Sequence, residues 1–346
     1  MMAGGFAAAA IFCIACSHDT QNSKAAPGAA ASASAGQAGA QAAMQPLIPN
    51  SEQAPPASQT GGFDGQKAYE YTAKLVAFGP RPPASDAIHR TQDYILGELK
   101  GFGCEVEVDD FHASTSIGDV ALKNIVAKTP TDASGSSKGI ILLLTHYDTL
   151  RKESQEYHPS GPGDFVGAVD GGSSTGLMLE MARDLCATKQ TPNAVWMGFV
   201  DGEEAFVNWN VDNDNTYGSR QLAAKMAASG DLKRVRAVIL ADMVGPQNLR
   251  LDRESNSTPW LMDLVWNTAD RLGYKDQFGS ERANGISDDH VSFLNRSVAA
   301  ADLIDLNGYP YWHNQQDTMD KVSPRSLAIV GHVMLVTIGE LQKKFH

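Results

Sequence analysis

Short apolar runs alternate with longer amphipathic segments along most of the chain. The apolar runs lack the in-and-out alternation of a half-exposed strand, which predicts interior strands of a sheet covered on both faces. These runs are 139–148, 194–201, 236–245 and 297–306, with two more polar strand segments at 104–111 and 120–129. Helical periodicity is found at 66–78, 87–103, 174–186, 217–230, 259–274 and 323–345. This alternation predicts an α/β fold with a central, mostly parallel mixed sheet and helices on both faces.

The first 60 residues differ from the rest. Residues 4–16 (GGFAAAAIFCIAC) form an apolar run of signal-peptide length, and CIAC resembles a lipobox that ends at Cys16. Residues 17–60 are rich in Ala, Gly, Ser, Gln and Pro and cannot bury a core. We therefore expect a leader (1–16), a disordered tether (17–60) and one catalytic domain (61–346) in an exported envelope or periplasmic protein, with Cys16 as a candidate lipid anchor.

The net charge limits the class of binding partner, and the cysteine content bears on disulfide formation. The formal charge of -12 argues against a nucleic-acid partner, which would need a basic face. Cys104 and Cys186 are the only cysteines after the leader, and their spacing matches no zinc or redox motif. Spacing alone favours buried free thiols over a disulfide. We expect a monomer that acts on peptides.

Acidic and histidine side chains follow the predicted central strands. Because ligands collect at the carboxyl ends of parallel strands, we expect these side chains to meet at one edge. So many carboxylates would repel one another unless a cation neutralised them. A mixture of His, Asp and Glu suits Zn²⁺ best, and no cysteine cluster indicates a structural zinc. The residues are His146, Asp148, Asp170, Glu203, Glu204, Asp242 and His313.

The adjacent pair Glu203 and Glu204 has a chemical rationale. Neighbouring side chains of an extended segment point in different directions. One carboxylate can therefore bind the metal while the other faces the substrate as general acid and base.

Seven motifs, taken in order, resemble those of the zinc aminopeptidase-like exopeptidases. They are THYD, GAVDGGSSTGLMLEMA, FVDGEEAF, YGSRQLA, LADMVG, SDDHVSFL and YWHNQQDTMD. Within that family they look most like the animal-type glutaminyl-peptide cyclotransferases and their bacterial relatives. The resemblance covers roughly residues 64–346. It implies a zinc-dependent acyltransferase that converts N-terminal glutamine of peptides to pyroglutamate and releases ammonia.

The resemblance also implies roles for individual residues. One zinc would be held by Asp170, Glu204 and His313, with Glu203 as proton shuttle. The remaining implied residues are Asp242 and Asp288 in a carboxylate network around Glu203, and Trp209, Ile286 and Trp312 in the pocket wall. The loop GYPYWH is one residue shorter than the family pattern, so the resemblance leaves open how Tyr309 lines the pocket. The disulfide of the animal enzymes has no counterpart in this pattern.

Two other functions stay open at this point. A two-zinc aminopeptidase would use Asp170 as the bridge, with His146 and Asp242 on one metal and Glu204 and His313 on the other. The residues present suit both enzymes, and only the cyclase-like motifs separate them. A silent binding module is disfavoured because Glu203 is intact. Under the cyclase interpretation His146 is a hydrogen-bond partner, and His290 braces its loop rather than binding metal.

Overall fold

The computed structural model describes residues 53–130, 137–210 and 213–346. The predicted leader, with Cys16, and the tether as far as residue 52 lie outside the described residues. The main sheet has six strands, and a two-stranded sheet lies apart from it. The strands are β1 (Glu105–Thr115), β2 (Gly118–Lys128), β3 (Gly139–His146), β4 (Asn193–Val200), β5 (Val235–Asp242), β6 (Leu251–Arg253), β7 (Phe278–Arg282) and β8 (Ala300–Ile304).

The main sheet has the order β1-β2-β4-β3-β5-β8. Strands β4, β3, β5 and β8 are parallel, whereas β1 and β2 form an antiparallel hairpin that joins the sheet through β4. All residues of β3, β4 and β8 are buried, as the unbroken apolar runs predict. The predicted mostly parallel mixed sheet is confirmed.

Seven helices accompany the strands among the described residues. They are α1 (Gly65–Val76), α2 (Asp86–Gly101), α3 (Ser174–Cys186), α4 (Tyr217–Ser229), α5 (Pro259–Arg271), α6 (Val291–Leu294) and α7 (Pro324–Lys344). The large core on one face of the sheet contains side chains from α1, α2, α3, α5 and α7, while residues of α4 and α6 pack in a second core. Helix α7 is long and apolar enough to cross a membrane, but its buried side chains belong to the large core.

Three short elements escaped the sequence analysis. Strands β6 and β7 are three and five residues long, and α6 has four residues. Elements of this length leave no measurable hydrophobic period. They matter because β6 and the segment before α6 flank the candidate site.

Some residues before position 61, the predicted domain boundary, pack against the domain. Thr60 is buried, and its hydroxyl donates to the carbonyl oxygens of Ala57 and Phe63. Phe63 is fully buried against Gly331 of α7. The last residues of the predicted tether therefore have a defined conformation.

The expectation of free thiols is wrong, because Cys104 and Cys186 form a disulfide. They are separated by 82 residues in sequence, yet their Cα atoms lie 5.2 Å apart. Packing of α2 and α3 brings the residue before β1 close to the last residue of α3. Sequence spacing carries no information about such a contact.

Candidate active site

The candidate site lies at the carboxyl ends of the parallel strands. His146 is the last residue of β3, Asp242 is the last residue of β5, and Glu203 and Glu204 follow β4. The loops before α3 and α7 add Asp170 and His313. All six residues are at most 6% exposed, and the ligand atoms of all but Glu203 form two groups that share Asp170, so they converge at one edge of the sheet as predicted.

A tight turn, Ala168–Ser173, presents Asp170. Gly167 and Gly171 adopt positive φ, and a Cβ on either glycine would lie within 2.7 Å of a backbone oxygen. Buried Arg81 donates to the carbonyl oxygens of Val166 and Gly167 and holds the approach to the turn. The turn therefore depends on glycine and on a side chain that is distant in sequence.

Asp317 fixes the same turn from the other side. Its Oδ1 accepts hydrogen bonds from the Val169 N–H (2.8 Å) and the Tyr309 hydroxyl (2.6 Å), and its Oδ2 accepts one from the Asp170 N–H (3.1 Å). Burial raises the pKa of Asp317 to about 7, and the nearby charge of Asp170 adds to the rise. Tyr309 thus supports the turn instead of lining the cavity described below.

Asp170, Glu204 and His313 form the first group that could hold a metal ion. His313 Nε2 lies 3.2 Å from Glu204 Oε2 and 3.5 Å from Asp170 Oδ2. The other ring nitrogen, Nδ1, donates to the Glu156 carbonyl oxygen (3.1 Å), which leaves the Nε2 lone pair free for a metal. Asp170 Oδ2 and both oxygens of Glu204 are buried and receive no hydrogen bond from the described part of the chain. Such buried anionic oxygens need a cation, so this donor set fits a metal.

The backbone of the glutamate pair is held by a third carboxylate. The N–H groups of Glu203 and Glu204 each donate to one oxygen of Asp148, at 3.3 Å. From this fixed backbone the Glu204 side chain contacts His313, while Glu203 Oε2 lies 3.7 Å from His146 Nδ1. The two carboxylates therefore face different partners.

His146, Asp170 and Asp242 form a second group with metal-ligand geometry. His146 Nε2 lies 3.0 Å from Asp242 Oδ1 and 3.4 Å from Asp170 Oδ1. Because Asp170 belongs to both groups, the geometry accommodates one or two cations. A third group, Asp288, His290 and Asp302, is also buried.

A cavity of about 440 Å³ opens onto the first group. It has the size of a small-molecule site. The implied pocket residues Trp209, Ile286 and Trp312 all line it, together with Glu203, Asp242 and Asp288. Trp312 stacks on the His313 ring, with centroids 3.9 Å apart. Trp209 Nε1 is buried and has no acceptor among the described residues.

Burial and mutual repulsion shift the acidities of these carboxyl groups. Burial raises the pKa of Glu203 well above its ordinary value, against the opposing effect of His146. Burial also raises the pKa of Asp288 to about 7, with a contribution from the negative charge of Asp242. Groups with raised pKa values in a cavity are suited to proton transfer near neutral pH.

Arg81, Glu156 and Asp317 support the site but were not predicted from the sequence. Asp317 lies in the motif YWHNQQDTMD and Asp148 in THYD, so both were within recognised segments. The Arg81 side chain donates to the carbonyl oxygens of Val166 and Gly167, and the carbonyl oxygen of Glu156 accepts from His313. No residue pattern indicates contacts of this kind. His290, which is predicted to brace its loop, lies 3.3 Å from Glu254 Oε2 and 3.8 Å from Asp302 Oδ2.

The comparisons with known proteins agree with this fold and site. The family model for peptidase family M28 matches residues 124–338, and the chain belongs to that family. It is 28% identical over 293 residues to the glutaminyl-peptide cyclotransferase of Bothrops jararaca, with 75% of this chain and 77% of that protein covered.

Two solved structures extend the comparison. A glutaminyl cyclase from an Acidobacteriales bacterium superposes with a TM-score of 0.74 at 35% identity, covering 82% of this chain and 96% of that one. A Zn-dependent exopeptidase from Parabacteroides distasonis gives a TM-score of 0.71 at 28% identity, covering 80% and 98%. The resemblance inferred from the sequence motifs is thereby confirmed.

Proposed function

We propose that this protein is a zinc-dependent glutaminyl-peptide cyclotransferase, which converts the N-terminal glutamine of peptides to pyroglutamate and releases ammonia. One observation carries the proposal: Glu203 and the metal-ligand group share one cavity with Trp209, Ile286 and Trp312, the pocket residues that the cyclase resemblance implies. The names of the relatives support the same activity.

Asp170, Glu204 and His313 would hold the zinc. When bound there, zinc supplies a Lewis acid for the side-chain amide carbonyl of the glutamine. The chain's own residues do the remaining work. The α-amine of the glutamine attacks the side-chain amide carbon of the same residue, so no external nucleophile is needed. Glu203 takes a proton from this amine and delivers it to the departing ammonia.

The pocket walls orient the glutamine. Trp209, Ile286 and Trp312 exclude water around the short aliphatic side chain of the glutamine. Asp242 and Asp288 line the same cavity on the side of Glu203. Their role is to hold Glu203 and the amine in position through hydrogen bonds.

A panel of matched peptides tests this activity. A Gln-initiated peptide should lose ammonia and become blocked at its amino terminus. The same peptide with an acetylated α-amine should not react, because the attacking nitrogen is gone. An Asn-initiated peptide is one methylene shorter and would have to close a strained ring, so it should not react either. Release of free glutamine from the first peptide, with no blocked product, would refute the proposal.

The two-zinc aminopeptidase is kept as the second candidate because His146, Asp170 and Asp242 form a second ligand group. Under that alternative Glu203 activates a water molecule instead of taking a proton from an amine. An aminoacyl reporter distinguishes the two, since only the peptidase releases its amine.

We further propose that residues 1–16 direct export to the cell envelope, that the segment from residue 17 towards the packed residues around Thr60 acts as a tether, and that the catalytic domain comprises these packed residues and 61–346. The support is compositional. If Cys16 carries a lipid, Cys16→Ser should move the protein from the membrane fraction to the soluble fraction. An unchanged membrane fraction would contradict the lipid anchor.

A further inference from the structure

Glu254 is a buried carboxylate to which the mechanism above gives no role. It follows β6 and is 3% exposed. Its Oε1 accepts hydrogen bonds from the N–H groups of Asn256 (2.7 Å) and Ile286 (2.9 Å). Its Oε2 accepts from the N–H and the hydroxyl of Ser257, both at 2.7 Å. Four donors therefore converge on one side chain.

One of these bonds fixes the wall of the substrate cavity. Ile286 lines the cavity, and both of its backbone polar groups are held by this small cluster. Its N–H donates to Glu254, and its carbonyl oxygen accepts from Asn256 Nδ2 (2.9 Å). A Cβ on the preceding residue, Gly285, would lie 2.5 Å from the Asn256 side chain, so the loop packs closely against that side chain.

A second contact leads to the acidic side of the cavity. Glu254 Oε2 lies 3.3 Å from Nε2 of His290, which is fully buried. The other ring nitrogen of His290, Nδ1, lies 3.8 Å from Asp302 Oδ2, so the ring is placed between two carboxylates. His290 is only two residues from Asp288, which lines the cavity beside Glu203.

We propose that Glu254 is a positioning residue that fixes Ile286 and the Asp288–His290 segment, and that it thereby sets the affinity of the cavity for substrate. The inference rests on the proposed function, since it concerns the same cavity. It adds a residue that touches neither the substrate nor the metal ligands.

The electrostatics agree with this geometry. The pKa of Glu254 is lowered to about 2, because the hydrogen bonds from His290, Asn256, Ile286 and Ser257 outweigh the effect of burial. The side chain is thus ionised at neutral pH, and bonds to an ionised acceptor are stronger than those between neutral groups.

Three variants of the full-length protein test the role. Glu254→Gln keeps the volume but has one acceptor oxygen, so it cannot serve both sets of donors. Asn256→Ala removes the bond to the Ile286 carbonyl oxygen. Ser257→Ala is the matched control, because it deletes a donor to Glu254 but leaves both bonds to Ile286. Melting temperature, zinc content, KM and kcat are measured for each.

We expect KM to rise about tenfold in Glu254→Gln and to rise in Asn256→Ala, with zinc content unchanged and kcat changing less than KM. Ser257→Ala should lower the melting temperature without moving KM. A merely structural role predicts lower melting temperatures with the same KM in all folded variants, and that result overturns the proposal.

Two further outcomes are decisive. If Glu254→Gln does not fold, Asn256→Ala carries the test: a raised KM supports the proposal and an unchanged KM overturns it. If the parent protein releases no ammonia from Gln peptides, the proposed function fails on its own. KM for the aminoacyl reporter is then measured in the same variants. A raised KM supports the positioning role of Glu254, and an unchanged KM overturns it.

Discussion

Replacing Asp317 with asparagine tests whether the metal site depends on the turn that presents Asp170. Asp317 is fully buried and accepts three hydrogen bonds, two of them from the N–H groups of Val169 and Asp170. It touches neither the cavity nor the metal-ligand atoms directly. Its effect on zinc must therefore pass through the backbone of the turn.

The size of the effect follows from these contacts. Asparagine keeps one acceptor oxygen, which can serve Val169 and Tyr309. Its NH₂ group then faces the Asp170 N–H, and one buried donor is left unpaired at a cost of about 1–3 kcal/mol. The unpaired N–H belongs to Asp170, which is a proposed zinc ligand. We therefore expect the zinc dissociation constant to rise by roughly 10- to 100-fold, as for other residues that hydrogen-bond to metal ligands.

Zinc release to a competing chelator and unfolding in denaturant measure the two effects. Asp320→Asn is the matched control, since that side chain lies on the surface three residues away. It should leave both measurements unchanged. If Asp317→Asn retains the zinc affinity and stability of the parent protein, the turn does not depend on Asp317 and the argument is refuted.

Three further predictions concern other parts of the molecule. Glu203→Gln should keep its zinc while turnover falls by roughly two to four orders of magnitude. Glu204→Gln should purify metal-poor and regain activity in excess zinc. The reverse pattern would make Glu203 the zinc ligand and Glu204 the acid–base group. Reduction of the Cys104–Cys186 disulfide should lower the free energy of unfolding by about 2–5 kcal/mol, checked by denaturation with and without reductant, and an unchanged midpoint would contradict this. Glu254 has a folded-state pKa of about 2, below its ordinary 4.5. The stability that ionised Glu254 contributes is present above about pH 4.5 and is lost as pH falls towards about 2. The difference in unfolding free energy between the parent protein and Glu254→Gln should therefore shrink over that range. A constant difference would contradict this pH dependence.

The parts of the structure that were predictable from sequence have local causes. Buried parallel strands require continuous apolar runs, and β3, β4, β5 and β8 were recognised from them. The carboxyl ends of such strands meet at one edge. His146, Glu204 and Asp242 could therefore be grouped before any contact was known.

The parts that were missed depend on contacts between distant segments. Arg81 supports the turn before Asp170 through backbone carbonyl groups some 85 residues away in sequence. The disulfide of Cys104 depends on how helices pack, which spacing does not encode. Glu254 follows a three-residue strand that has no hydrophobic period, so its link to Ile286 was not detectable from the sequence.

Metal stoichiometry measured together with the two possible reactions tests the central claim most directly. One preparation of the protein is analysed for zinc per chain, for ammonia release from a Gln-initiated peptide and for amine release from an aminoacyl reporter. The account predicts about one zinc per chain, ammonia release and no amine release, with the zinc content unchanged in His146→Ala. About two zinc ions in the parent protein, falling to about one in His146→Ala with loss of amine release, would contradict it and identify an aminopeptidase.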